Sequence, residues 1–163
     1  PNTASWFDGQ FDYTPNQDYN GTDTILVKAK ANGQQSVSVN ITINIAAVND
    51  APTTSAVSAS TNEDTSKSIT LVAADVEGST LTYSIVSNPS NGSLGFGSNT
   101  SPGVNYTPSA NFNGTDTFTY KVNDGTVDSN TSTVTITVAA VNDAPVTSDQ
   151  TASTDEDLSL IHI

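Results

Sequence analysis

The chain repeats itself at a fixed spacing of 93 residues. Tyr13-Thr14-Pro15 returns as Tyr106-Thr107-Pro108, and Asn20-Gly21-Thr22-Asp23-Thr24 returns as Asn113-Gly114-Thr115-Asp116-Thr117. Ala46-Ala47-Val48-Asn49-Asp50-Ala51-Pro52 returns as residues 139–145, and Thr61-Asn62-Glu63-Asp64 as Thr154-Asp155-Glu156-Asp157. Between residues 13–64 and their counterparts, 26 of 52 positions are identical without a gap. Any fold must therefore be a unit that can be stacked in series. The offset divides the chain into the C-terminal half of one unit (1–49), a complete unit (50–142) and the start of a third (143–163). The chain begins mid-motif at Pro1, which reads as a window on a longer array. Asn-Asp-Ala-Pro suits a linker, because proline donates no ladder hydrogen bond and keeps the residue before it extended.

Within the complete unit the apolar residues have period two. Ile69, Leu71 and Ala73 alternate with Ser68, Thr70 and Val72. Leu81, Tyr83 and Ile85 alternate with Thr82 and Ser84, Phe118 and Tyr120 with Thr117 and Thr119, and Val134, Ile136 and Val138 with Thr135 and Thr137. β-Branched residues dominate and no stretch has a helical period. Turn pairs separate the runs at Glu77-Gly78, Asn91-Gly92, Asn113-Gly114 and Asp124-Gly125. The pattern predicts seven strands, A to G, at 53–60, 66–73, 80–86, 92–96, 103–107, 117–122 and 131–140. That number in about 90 residues predicts an all-β fold of tandem Ig-like antiparallel sandwiches.

Composition excludes several kinds of chemistry. The chain has 4 basic and 17 acidic residues, a net charge of −13, no cysteine and one histidine. Without cysteine there is no disulfide framework and no thiolate ligand or nucleophile. One histidine, His162, cannot build a His-rich zinc site and leaves a Ser-His-Asp triad only at the extreme terminus. The charge argues against nucleic acid and anionic lipid as partners. No apolar run approaches the roughly 18 residues that would span a bilayer as a helix. The chain is expected not to be an enzyme, since no nucleophile and base can be assembled. Glu63 and Glu77 do not make a glycosidase pair, because strand parity sends them to opposite ends of a sandwich.

The same parity gathers the acids at the two ends. The incoming linker Asn49-Asp50, the B–C loop with Asp75 and Glu77, and the F–G loop with Asp124 and nearby Asp128 share one end, the top. The A–B loop with Asn62, Glu63 and Asp64, the E–F loop with Asp116, and the outgoing linker Asn142-Asp143 share the bottom. Asp23, the counterpart of Asp116, reaches the top joint from the preceding unit. Carboxylates crowded at a joint repel one another, and a hard divalent cation with six to eight oxygen ligands removes that repulsion. Side-chain oxygens without thiolate or imidazole favour Ca²⁺ over Zn²⁺. The competing explanation is that Asp and Asn are ordinary turn residues.

Tyr-Thr-Pro-x-x-x-(Phe/Tyr)-Asn-Gly-Thr-Asp-Thr followed by Val-Asn-Asp-Ala-Pro resembles the tandem cadherin-like repeats of large bacterial surface and RTX-type adhesins. The resemblance covers essentially the whole chain. It implies that Asn49-Asp50 and Asn142-Asp143 are Ca²⁺-ligating linkers, that Glu63 is the A-strand glutamate, and that Asp75 and Glu77 are the paired acids of the B–C loop. It also implies ligands at Asp116 and Asp124, an extracellular location, and a spacer role with adjacent repeats of the parent chain as partners. Residues 1–49 hold no A–B acidic loop and residues 143–163 no B–C loop. The top joint is therefore expected to be the better site. The first unit has Lys30-Ala31-Asn32-Gly33 where the second has Asn123-Asp124-Gly125-Thr126, so its F–G loop should ligate poorly.

Other features are weaker. Trp6-Phe7 could stack on a sugar but is expected to pack on its own unit. The apolar tail 158–163 could pair with an exposed strand edge of this or another copy. That keeps open a filament completed by strand exchange, and a module binding a glycan or protein receptor remains a further alternative. The Asn-x-Ser/Thr matches, such as Asn91-Gly92-Ser93, are expected from composition alone.

Overall fold

Period-two patterning builds strands between Thr3 and Ala139, as seen in a computed structural model that describes residues 3–7, 10–28, 30–35, 37–149 and 151. The first unit supplies β1 (Thr3–Phe7), β2 (Gln10–Thr14), β3 (Gly21–Val27), β4 (Lys30–Ala31), β5 (Gln34–Gln35) and β6 (Val39–Ile45). The complete unit supplies β7 (Thr53–Ser55), β8 (Val57–Asn62), β9 (Lys67–Thr70), β10 (Val72–Ala74), β11 (Thr82–Ser87), β12 (Gly92–Phe96), β13 (Gly103–Pro108), β14 (Gly114–Asn123) and β15 (Ser132–Ala139). No helix occurs among the described residues. His162 and the tail 158–163 lie outside them, as do the side chains of Trp6 and Phe7.

The complete unit is a two-sheet sandwich. One sheet runs β11-β14-β15-β8 and the other β12-β13-β9, with β10-β7 as a separate pair. The inward residues of both sheets form one core: Ile69, Leu71, Tyr83, Val104, Tyr106, Phe118, Tyr120, Val122, Val134, Ile136 and Val138. Phe118, Tyr120, Val134 and Ile136 are completely shielded from solvent. Burying a side chain of this size contributes roughly 1.5–3 kcal/mol, so this core carries the fold without any disulfide.

Three details depart from the sequence reading. Strand A divides at Ala56: β7 joins β10, while β8 crosses to the other sheet and pairs parallel with β15. The sandwich is therefore antiparallel except for that edge pair. Strand B divides as well, at the buried Leu71, whose N–H donates to Pro102 O at 2.9 Å. Tyr120 holds both breaks, its hydroxyl lying 2.7 Å from the carbonyl oxygens of Ser55 and Val72. Finally, Asp116 lies inside β14 and not in a loop.

In the first unit β3 pairs with β6, and β1 with β2. Gly21 faces Ile45 as Gly114 faces Val138, so the 93-residue offset preserves the register. The E–F turns repeat as well: Asp18 and Asn111 hold φ of 59° and 56°, and Gly21 and Gly114 hold 123° and 132°. Asp and Asn tolerate the left-handed region better than other side chains.

Candidate metal centre

At the top of the complete unit the linker is drawn down onto two loops. Asn49 Nδ2 donates to Asp124 Oδ2 at 2.7 Å, and the Asp50 N–H donates to Glu77 Oε2 at 3.2 Å. The other oxygen of Asp124 accepts the N–H groups of Thr126 and Val127 at 2.6 and 2.7 Å. These bonds, that from Asn49 foremost and that from Val127 next, hold the Asp124 carboxyl below the usual carboxylate value. Asp75 Oδ1 accepts the Ser79 N–H at 2.7 Å and closes the B–C turn. Its Oδ2 is buried and has no hydrogen-bond partner. A buried carboxylate oxygen without a donor is costly, and a cation is one way to satisfy it.

A cleft of about 300 Å³ opens beside this linker, where the E–F turn of the first unit meets the complete unit. Asp18, Asn20, Asp50 and Glu77 are among its lining residues. Asp18 and Asn20 were not among the sequence candidates. Parity could have found them, since the E–F loop of one unit faces the B–C loop of the next. Asp23, which was a candidate, turns inward to Tyr13, whose hydroxyl donates to Asp23 Oδ2 at 2.8 Å.

At the bottom, Glu63 is buried, with 7% of its surface exposed. Its N–H donates to Ala139 O at 2.9 Å, and its Oε1 accepts the N–H of Val141. Asp64 Oδ1 accepts the Asn111 N–H at 3.1 Å. Asn62, Asn142 and Asp143 are exposed, and Asn142 Nδ2 donates to Asp143 O at 3.2 Å. Asp116 is differently occupied. Its Oδ1 accepts Ser90 N–H and Thr117 N–H, and its Oδ2 accepts Asn91 N–H and the Tyr106 hydroxyl, at 2.9–3.0 Å. The pair Tyr106–Asp116 is the pair Tyr13–Asp23 one repeat later, and in both units it ties strand E to strand F. Asp128 is likewise engaged, by Lys121 and Asn123.

The structure thus brings Asn49, Asp50, Glu77 and Asp124 together, with Asp75 in the same set of top loops. It brings Glu63 to the outgoing linker and Asp64 to the E–F turn, and it commits Asp23 and Asp116 to tyrosines. Among the described residues no three His, Cys, Asp or Glu side chains are gathered closely enough to hold a metal by themselves. A cation here would need amide and carbonyl oxygens beside the carboxylates. Such a mixed, all-oxygen donor set is what Ca²⁺ takes, so the residues at the top fit it.

The sequence pattern of the bacterial Ig domain family matches residues 49–137. No curated protein sequence matches the chain. Among solved structures, it is similar to the extracellular cadherin domains 1–5 of protocadherin gamma B2, with a TM-score of 0.53, 19% identity, and coverage of 87% of this chain and 32% of that one. It is also similar to domains EC1–2 of human protocadherin-24, with a TM-score of 0.51, 14% identity, and coverage of 88% and 82%. An endo-fucoidan hydrolase of glycoside hydrolase family 107 aligns at a TM-score of 0.43 and 20% identity over 86% of this chain. This chain spans only 22% of that enzyme, and the likeness carries no argument about activity. The two protocadherin matches establish a cadherin-like sandwich and nothing about ligands. With the family pattern matching more than half of its length, this chain belongs to the bacterial Ig domain family.

Proposed function

We propose that the chain is part of an extracellular, non-catalytic spacer built of tandem repeats, with units at 1–49, 50–142 and 143–163, whose joints are stiffened by Ca²⁺. The observation that carries this reading is the buried, unpartnered Oδ2 of Asp75, on the loops that also draw Asn49 and Asp50 toward Asp124 and Glu77. In this reading Asn49, Asp50, Asp75, Glu77 and Asp124 hold the cation at the top joint, with Asp18 beside them. Asn62, Glu63, Asp64, Asn142 and Asp143 contribute at the bottom. Asp116, whose two oxygens accept four donors, is left to the core, and its counterpart Asp23 is left with Tyr13 and Thr24. The cation supplies positive charge at ends where carboxylates of a chain carrying −13 would otherwise repel. It binds ligands that converge only in the folded state, and so it stabilises by linkage.

The test is thermal unfolding in excess EDTA and in millimolar Ca²⁺, with Mg²⁺ as control and calorimetry for uptake. At a hundredfold excess over Kd, linkage gives about 2.7 kcal/mol, a rise of several degrees in Tm. Asp75→Ala and Asp50→Ala should remove that rise. An unchanged Tm with no heat of binding would leave a metal-free spacer.

A further inference from the structure

We infer that the joint between repeats pivots at a single peptide, the Val–Asn step at Val48–Asn49 and at Val141–Asn142, because carboxylates of successive units hold the linker on either side of it. The two linkers show the two halves of this arrangement. On the incoming side everything from residue 49 onward is fastened to the following unit. Asn49 is tied to Asp124, the Asp50 N–H to Glu77, the Pro52 side chain is buried, and the Thr54 N–H donates to Asn130 Oδ1 at 2.9 Å. On the outgoing side everything up to residue 141 is fastened to the preceding unit. The buried Glu63 donates its N–H to Ala139 O and accepts the N–H of Val141.

The repeat offset makes Val141 equivalent to Val48 and Asn142 equivalent to Asn49. Superposed, the two grips leave only the Val–Asn peptide between them. The side chains there lie outside the core: Val48 is 77% exposed and Val141 47%. Rotation about the two backbone bonds flanking that peptide is then the soft motion, so units bend about a point and do not sway on a tether. The asparagine tie also varies from repeat to repeat. Asp124 accepts it in the complete unit, whereas the first unit has Ala31 at that position and offers no carboxylate. The inference concerns the cation-free chain and stands whether or not the joints bind Ca²⁺.

Amide hydrogen exchange on the full chain in excess EDTA tests it. The N–H groups of Asp50 and Val141 should exchange at least about tenfold more slowly than free-peptide rates, as expected for bonds to charged acceptors. Glu77→Ala should release Asp50 alone and Glu63→Ala should release Val141 alone, while the amides of Tyr120 and Val134 report that the sandwich is intact. Glu77→Gln and Glu63→Gln keep an acceptor oxygen and should retain the protection. Free-peptide exchange at either amide in the unaltered chain overturns the inference, as does one alanine variant releasing both. Should Glu63→Ala open the core, Glu63→Gln decides: slow exchange at Val141 supports the grip, and fast exchange overturns it.

Discussion

The first unit and the complete unit have the same pattern and the same F–G pairing register, but they do not have the same interior. Ile136 is fully buried in β15, whereas its counterpart Ile43 in β6 is only half-buried; Val134 is fully buried, and Ile41 is 37% exposed. The difference lies in what flanks the pair. In the complete unit β14 and β15 sit between β11 and β8 and face the second sheet across the core. Among the described residues β3 and β6 have only each other in their sheet. Pairing is thus set by neighbours in sequence, while burial requires strands from elsewhere in the unit.

The largest effect should come from the core. Phe118→Ala should cost the complete unit about 3–5 kcal/mol by loss of transfer energy and by cavity formation. Ile25→Ala, at the equivalent half-buried position, should cost only about 1 kcal/mol, since less area leaves water. Urea midpoints measure both, and equal losses would break the comparison. Next comes the tyrosine–aspartate pair. Asp116→Ala strands several buried donors, including the Tyr106 hydroxyl, and should cost about 3 kcal/mol. Asp23→Ala leaves its donors nearer to water and should cost about 1 kcal/mol by the same reasoning.

The same pair makes an alkaline prediction. Burial first, and then the bond to Asp23, push the Tyr13 phenol up from 10.0 to about 12. Burial and Asp116 raise Tyr106 in the same way. A raised folded value means a contribution fully present below the unfolded value and lost as pH rises through the folded one. Ultraviolet titration should therefore show Tyr13 ionising late, and Asp23→Ala should bring it back toward the ordinary phenol range. Early ionisation of Tyr13 in the unaltered chain would show that the pair does not form in the first unit.

The smallest effect belongs to the acid limb, to which Asp124 and Asp128 of the complete unit contribute. Asp124 is lowered chiefly by Asn49, and Asp128 chiefly by Lys121. Their counterparts are Ala31 and Gln35. Lowered carboxyls contribute above the unfolded value of 3.8, and that contribution is lost as pH falls through the lowered value. The acid slope of Tm should be shallower in Asp124→Asn; an identical slope would mean that the tie to Asn49 is not held in solution.

Most of the sandwich was legible because alternation is a local property. Ile69, Tyr83, Phe118 and Val134 reveal their inward face by position alone, and parity then assigns each loop to an end. The environment of each acid was not legible in the same way. Asp116 carries the repeat motif and reads as a ligand, yet Tyr106 and the turn at Ser90-Asn91 consume its oxygens. Asp75 carries no more distinctive a motif, yet it keeps a buried oxygen unpaired. Counting acids at an end cannot separate these two cases, because the donors come from other loops.

By itself the sequence determined the repeat length, the alternating strand pattern and the inward face of the core strands. All of these depend on spacings within a few residues or on one exact offset. The tertiary structure alone decided that strands A and B each divide, that β8 runs parallel to β15, and that Glu63 grips Val141 while Asp124 grips Asn49. Those contacts join residues 78 and 75 positions apart. They exist only once the two sheets have closed on a common core, and no local periodicity encodes them.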